Sequence, residues 1–450
     1  MIMMKKDIKI VTMGVALFAA MFAGCTHFEE EDLFSESPAL RIEHNAEKLQ
    51  GILLDAPQGW VIQYHTGDGV AVFEGFNLFA RFEKGGKVTI AGDHRFLRDG
   101  NAGKYTEAAS LYELVREDGL VLAFNTWNDV LTPFVDPVAY WAAPNNLLKD
   151  GEGMQGDQNL VVMSMKENEI ILRGERYDAE VRMVKCDRDW QTYISDTKAM
   201  KERITNKMIN SYYITAGNDT LYCVGLRNGR YRISDRVDNP LKSDSLSCCF
   251  TPEGFRNEKV DTIAGHPFHE FKLNEEGSAL VNEDGSVRIN AMWDRYIVNT
   301  RTAIWNFDQD KLTEEQKGLL VQINTELKAF NSAYSFAEIG LGRSSGNGAV
   351  KGLVVTFYSN TSKTKTNTAG LSLTTACPLY GQMQISYLGD EMTDKNLETL
   401  NKTSNIEAVV RQFAATLSGT YNMVPDDNFL PTGCELHAIG GGNNYVLKQP

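Results

Sequence analysis

The chain is poor in the features that usually betray a function. After its N-terminal stretch it has no long apolar run, and its 450 residues include only 12 prolines, 7 histidines and 7 cysteines, with 45 basic residues against 59 acidic ones. A membrane-spanning helix needs about 20 consecutive apolar residues, so none is expected beyond the N-terminus. The formal net charge of -14 excludes nucleic acid as a partner, because neutralising phosphates takes clustered Lys and Arg. Cysteine spacing is irregular and Cys248-Cys249 are adjacent, which suits neither a zinc site nor a repeated disulfide framework; few or no bridges, no metal and no cofactor are expected. With 42% hydrophobic and 10% aromatic residues, the remainder is ordinary globular composition, long enough for two or three domains with cores of their own.

The N-terminus carries an address. Lys5, Lys6 and Lys9 precede an apolar run over 10–23, and Phe22-Ala23-Gly24-Cys25 closes it. About 14 apolar residues are too few to span a bilayer but suit a signal peptide. Small residues before a cysteine match the lipobox of bacterial lipoproteins, so residues 1–24 read as signal peptide and Cys25 as the lipidated anchor, with several acyl chains giving stable attachment. Glu29-Glu30-Glu31-Asp32 follow, making 25–39 an acidic tether that resembles a surface-export signal. Losing 1–24 removes three lysines and one aspartate and moves the formal charge from -14 to -16. The protein is therefore expected at the outer face of the outer membrane, held there by lipid.

Beyond the tether the pattern is mainly β, an α+β class of antiparallel sheets or partial barrels with a few peripheral helices. Leu40, Ile42, Ala46, Leu49, Ile52 and Leu53 recur at helical spacing behind Ser37-Pro38. Short strands follow at 59–64, 76–82, 87–90, 111–115, 120–124, 160–165, 169–172 and 179–184, divided by hairpin-sized turns. A charged helix over 187–210 is the preferred boundary between an N-terminal antiparallel β domain, 40–186, and a mixed β/α domain, 187–450. In the latter, strands are expected at 211–214, 220–226, 231–234, 259–263, 269–273 and 287–289. Helices over 313–330 and 405–417 are interleaved with strands at 351–358, 370–375, 382–387, 420–424, 434–438 and 445–447. A helix leading into an aromatic strand occurs at Trp60, at Tyr212-Tyr213 and at Tyr421, a weak internal repeat.

No catalytic set is complete. Gly342-Arg343-Ser344-Ser345-Gly346, with Asp390 and His437 downstream, has the spacing of a nucleophile elbow, but a β-branched strand follows where the elbow needs a helix. His266 and His269 fall on opposite faces of a strand. Asp308-Gln309-Asp310 lacks the glycine of a calcium loop and reads as charge at a helix start, and Gly440-Gly441-Gly442 joins two strands, so it is a turn.

The segment 125–157 is the most informative irregular stretch. It holds Trp127, Asp129, Phe134, Asp136, Tyr140, Trp141, Asn145 and Asp157, and aromatic faces beside Asn and Asp are the chemistry of glycan or peptide recognition. Trp141 is expected as the exposed platform, with Tyr140 beside it and Asp129 and Asn145 as polar partners. Trp127, directly after a strand, is expected in the core with Phe134.

Phe124-Asn125-Thr126-Trp127-Asn128, Asp136-Pro137, Gly156-Asp157, Leu172-Arg173-Gly174 and Arg176-Tyr177 together resemble the Bacteroidota lipoprotein family known as domain of unknown function 4302, whose hallmark is L-R-G. The resemblance implies a non-enzymatic surface lipoprotein that captures a glycan or peptide beside a TonB-dependent transporter in a nutrient-uptake system. The alternative is a hydrolase of unfamiliar design. Arg173 is expected to pair with an acid, Asp157 being the first choice.

Overall fold

The computed structural model describes residues 37–67, 73–116, 119–137, 153–178, 180–205, 211–235, 245–298 and 303–449. Three antiparallel sheets follow one another along them. The first has nine strands. Its first strand in the chain, Trp60–Tyr64, is fourth in the sheet, between Phe76–Glu83 and Glu180–Lys185, and its edges are Thr106–Leu111 and Glu113–Arg116. Tyr112 alone joins those two edges, so the sheet curls until they meet at that corner. The second sheet is a closed eight-stranded barrel, sealed by Ser211–Ala216 pairing with Val287–Ala291. The third repeats the strand order of the first: Trp305–Phe307 fourth, edges Thr366–Ser372 and Thr374–Ala376, and Leu373 at the corner.

Helix α1, Pro38–Leu54, starts where Ser37 accepts a hydrogen bond from Leu40 N and Pro38 fills the first turn. Its Ala46, Leu49 and Leu53 pack with Trp60, Ile62 and Tyr64 on the inner face of the first sheet. Helix α2, Trp190–Ile204, is capped by Asp189, which accepts from Gln191 N and Thr192 N. It covers the other face, where Trp190 and Tyr193 meet Val61, Phe79 and Ala91. Burial from both sides explains why the strand at 60–64 is apolar almost throughout rather than alternating. The expected boundary helix is a wedge, because α2 also packs on the barrel strand Leu246–Thr251. Glu180 of the first sheet reaches Arg256 of the barrel at 2.7 Å, close to α2's contact.

The barrel and the third sheet share one apolar cluster, running from Ile204 to Leu447. Helix α3, Glu314–Phe330, opens with the expected capping box between Thr313 and Gln316.

The aromatic strands at Trp60 and Tyr212 each open a sheet, but Tyr421 sits late in the third sheet and its true counterpart is Trp305. Four further strands escape the sequence pattern, the short Leu280–Asn282 among them. Thr106–Leu111 is a half-exposed run of small residues. In Leu246–Thr251 the pair Cys248-Cys249 splits across the strand, with Cys248 in the barrel core and Cys249 Sγ 3.1 Å from Asn77 Oδ1. Ser335–Arg343 is interrupted by glycines.

Candidate functional site

The chain leaving the strand Leu120–Ala123 stitches the corner of the first sheet shut. Phe124 is buried, Asn125 Nδ2 donates to Glu113 Oε2 at 2.8 Å, and Thr126 Oγ1 accepts from Leu111 N at 2.8 Å. Asn128 turns inward and is 2% exposed. Its Oδ1 accepts from Val130 N and Leu131 N, at 3.0 and 3.2 Å, while its Nδ2 donates to Ala108 O and Ser110 Oγ, each at 3.0 Å. Every hydrogen-bonding position of the amide group is thus engaged on the edge strand or the turn. Phe134 then plugs this end of the sheet against His94, Phe76 and Tyr64, with ring centroids 4.5, 4.8 and 5.4 Å away.

Trp127 stands between two tethered residues and points out, 56% exposed. This corrects the expectation that it is core: the inward position belongs to Asn128, whose amide outbids an indole for the unpaired groups of the edge strand. The ring does not dangle. Its Nε1 donates to Asp129 Oδ1 at 2.6 Å, and the Arg98 guanidinium lies 5.1 Å from the ring centroid and bonds Asp136 Oδ2 at 2.6 Å. Asp129 therefore aims the aromatic. Tyr140, Trp141 and Asn145 lie outside the described residues.

The third sheet supplies an internal comparison. At its corner Met392 N donates to Ser372 Oγ at 2.8 Å and Asp394 N to Gly370 O at 3.0 Å, while Asp394 Oδ1 accepts from Leu397 N at 2.8 Å. Here too residues two apart join the edge strand and the second is a buried Asx, but Asp394 reaches the edge by its backbone N–H and turns its carboxylate to cap the helix Lys395–Leu400; Thr393 stands between them, as Trp127 does in the first sheet. The third corner thus closes with a threonine where the first has the indole.

Asp157 does not pair with Arg173, which instead meets Asp178. Its two carboxylate oxygens accept from Arg176 N and Tyr177 N, at 3.0 and 2.9 Å, and its carbonyl accepts from Tyr64 OH at 2.7 Å. Burial pushes the carboxyl up, against those two N–H donors, which pull it down. A Cβ at Gly174 would come within 2.1 Å of Asp157 Oδ2. Leu172-Arg173-Gly174 therefore divides its labour along one strand: Leu172 in the core, Arg173 outside, and Gly174 making room for the carboxylate.

Two histidines near this end are buried. His94 Nε2 contacts Val130 O at 2.8 Å, and burial holds its imidazole down to about 4. His65 Nδ1 lies 3.3 Å from Ser247 Oγ of the barrel, whose hydroxyl donates to Phe73 O, and burial, with Arg256 and His269 nearby, holds it down to about 3. An unfolded chain takes up protons at histidine as pH falls through about 6.5, whereas the folded chain refuses them until far lower. Stability is thus full above about pH 6.5 and is lost as pH falls toward each depressed value, by about 2 kcal/mol per histidine at pH 5. Urea unfolding between pH 7.5 and 5 should show this decline. The variant carrying His65→Gln and His94→Gln should show a clearly flatter one; an equal slope would assign the proton uptake elsewhere.

The other motifs are engaged locally. Ser344 is buried in the loop between Ser335–Arg343 and Lys351–Tyr358, its Oγ accepting from Val350 N at 3.1 Å, and His437 pairs with Glu435 at 3.0 Å. No helix follows the serine, so an elbow is not formed. Among the described residues no three His, Cys, Asp or Glu side chains converge in a metal-holding group.

Compared with known families, residues 30–275 match the one described as Domain of unknown function (DUF4302). The match covers just over half of the chain, the whole first sheet and the barrel as far as the strand His266–Leu273. It stops short of Val287–Ala291, the strand that closes the barrel, so its limit is not a structural boundary. No curated protein matches the chain.

Proposed function

We propose, from the premise that this chain belongs to the family of domain of unknown function DUF4302, that it is a lipid-anchored cell-surface protein binding a glycan or peptide for a nutrient-uptake system, with Trp127 as the platform. The observation that carries the binding site is the contrast between the two corners: each is closed by residues two apart, but only the first sets an exposed, oriented indole between them. An aromatic fixed by Asp129 and Arg98 has lost its rotamer freedom before the ligand arrives, which lowers the cost of binding. Its exposed surface can take the C–H face of a sugar or an apolar side chain, and Asp136 and Arg98 offer polar contacts at its margin.

The anchor rests on Lys5, Lys6 and Lys9, the short apolar run and Cys25, followed by the acidic tether; a TonB-dependent transporter is the partner that such an address suits. No helix among the described residues is long and apolar enough to cross a membrane.

Screening the form that starts at Thr26 against glycan and peptide arrays tests the binding claim, and absence of any retained ligand counts against it. Attachment is tested separately. A fatty-acid analogue fed to cells should label the wild type and leave Cys25→Ala unlabelled, and protease added to whole cells should remove the protein. Label persisting in the variant would refute the lipobox, and survival in intact cells but not in lysate would place the protein inside the outer membrane.

A further inference from the structure

A cavity of about 230 Å³ lies where the first sheet, α2 and the barrel meet, and Trp127 is not on its wall. Two lysines one turn apart on α2 reach across it. Lys198 Nζ lies 2.5 Å from Asp93 Oδ2 and Lys201 Nζ 3.1 Å from Glu74 Oε2, and Lys201 also sits 4.6 Å from the ring centroid of Phe250 on the barrel. Arg95, on the same wall, stacks on Phe96 at 4.9 Å and forms no ion pair among the described residues. Three cations thus face two carboxylates, leaving one positive charge unbalanced.

We propose that this cavity binds a small hydroxylated monocarboxylate of the hexuronate class. One carboxylate on the ligand balances the excess charge. Each lysine ammonium has three N–H donors and gives one to its carboxylate partner, so donors remain for an incoming anion. Asp93 and Glu74 accept from hydroxyls and repel a second negative charge, which disfavours phosphate and other polyanions. Because the wall is drawn from three elements, an occupant that binds only the docked arrangement also stabilises it.

Calorimetry and thermal melting of the full chain with glucuronate, glucose and inorganic phosphate test this. Glucuronate should bind and raise the melting temperature, glucose should bind at least about tenfold more weakly, and phosphate should not compete. Arg95→Gln removes the unbalanced charge while leaving both lysine pairs in place. It should weaken glucuronate about tenfold without changing the melting temperature of the free protein. Trp127→Ala should leave glucuronate binding unchanged, which separates this site from the platform. The proposal is overturned if glucuronate binds no better than glucose or phosphate, if Arg95→Gln retains full affinity, or if Trp127→Ala abolishes the binding.

Discussion

Replacing Asn128 by alanine should destabilise the first sheet by about 3 to 5 kcal/mol, more than its size suggests. The side chain is 2% exposed and makes four hydrogen bonds. Alanine leaves the Val130 and Leu131 N–H groups and the Ala108 carbonyl without that partner inside the protein, and each buried orphan costs about 1 to 3 kcal/mol. The loss should also weaken ligand binding, although Asn128 faces inward, because Trp127 is the adjacent residue and its direction depends on that tether. Asn128→Asp keeps the two accepted bonds and gives up the donated ones, so it should fall between alanine and the wild type. Urea unfolding followed by tryptophan fluorescence reads the effect, and a cost below about 1 kcal/mol for alanine would mean that the corner is closed by something else.

Much of the architecture is legible in the sequence because its elements carry local signals. α1, α2 and α3 start at Ser37, Asp189 and Thr313, residues whose side chains cap the first turn, and most strands show alternation between Gly, Asp and Asn turns. Thr106–Leu111 does not, since an edge strand of small, half-buried residues leaves little contrast between its faces. The repeated nine-strand topology is hidden for a different reason. It is set by which strands pair and by one-residue corners at Tyr112 and Leu373, and neither leaves a residue-level repeat.

The site was half legible. The segment after Phe124 stands out for its aromatic and Asn/Asp content, yet an indole directly after a strand points to the core, and Trp127 lies outside it. Carrying the period of two past Phe124 would have placed Asn128 inside and Trp127 outside; a polar inward residue disguises that phase. Similarly, charge alone pairs Asp157 with Arg173, whereas the structure uses its carboxylate to receive two backbone N–H groups. Sequence suggests which charges exist, but a buried carboxylate is satisfied by whichever donors the turn brings to it.

Trp127→Ala carries the largest expected effect on function. An exposed aromatic anchor typically contributes more than about 1 kcal/mol to binding, and a dominant one 2 kcal/mol or more, which is a loss of about thirtyfold in affinity. The same truncation should barely change stability, because the ring is 56% exposed and no core neighbour depends on it; a buried tryptophan would cost about 3 to 5 kcal/mol. Measuring both quantities on one variant is the most direct test: affinity for whatever glycan or peptide the array retains, and melting temperature, for Trp127→Ala beside the wild type. The account predicts affinity lost and melting temperature held. Affinity held, or a melting temperature that collapses with the ring, would contradict it.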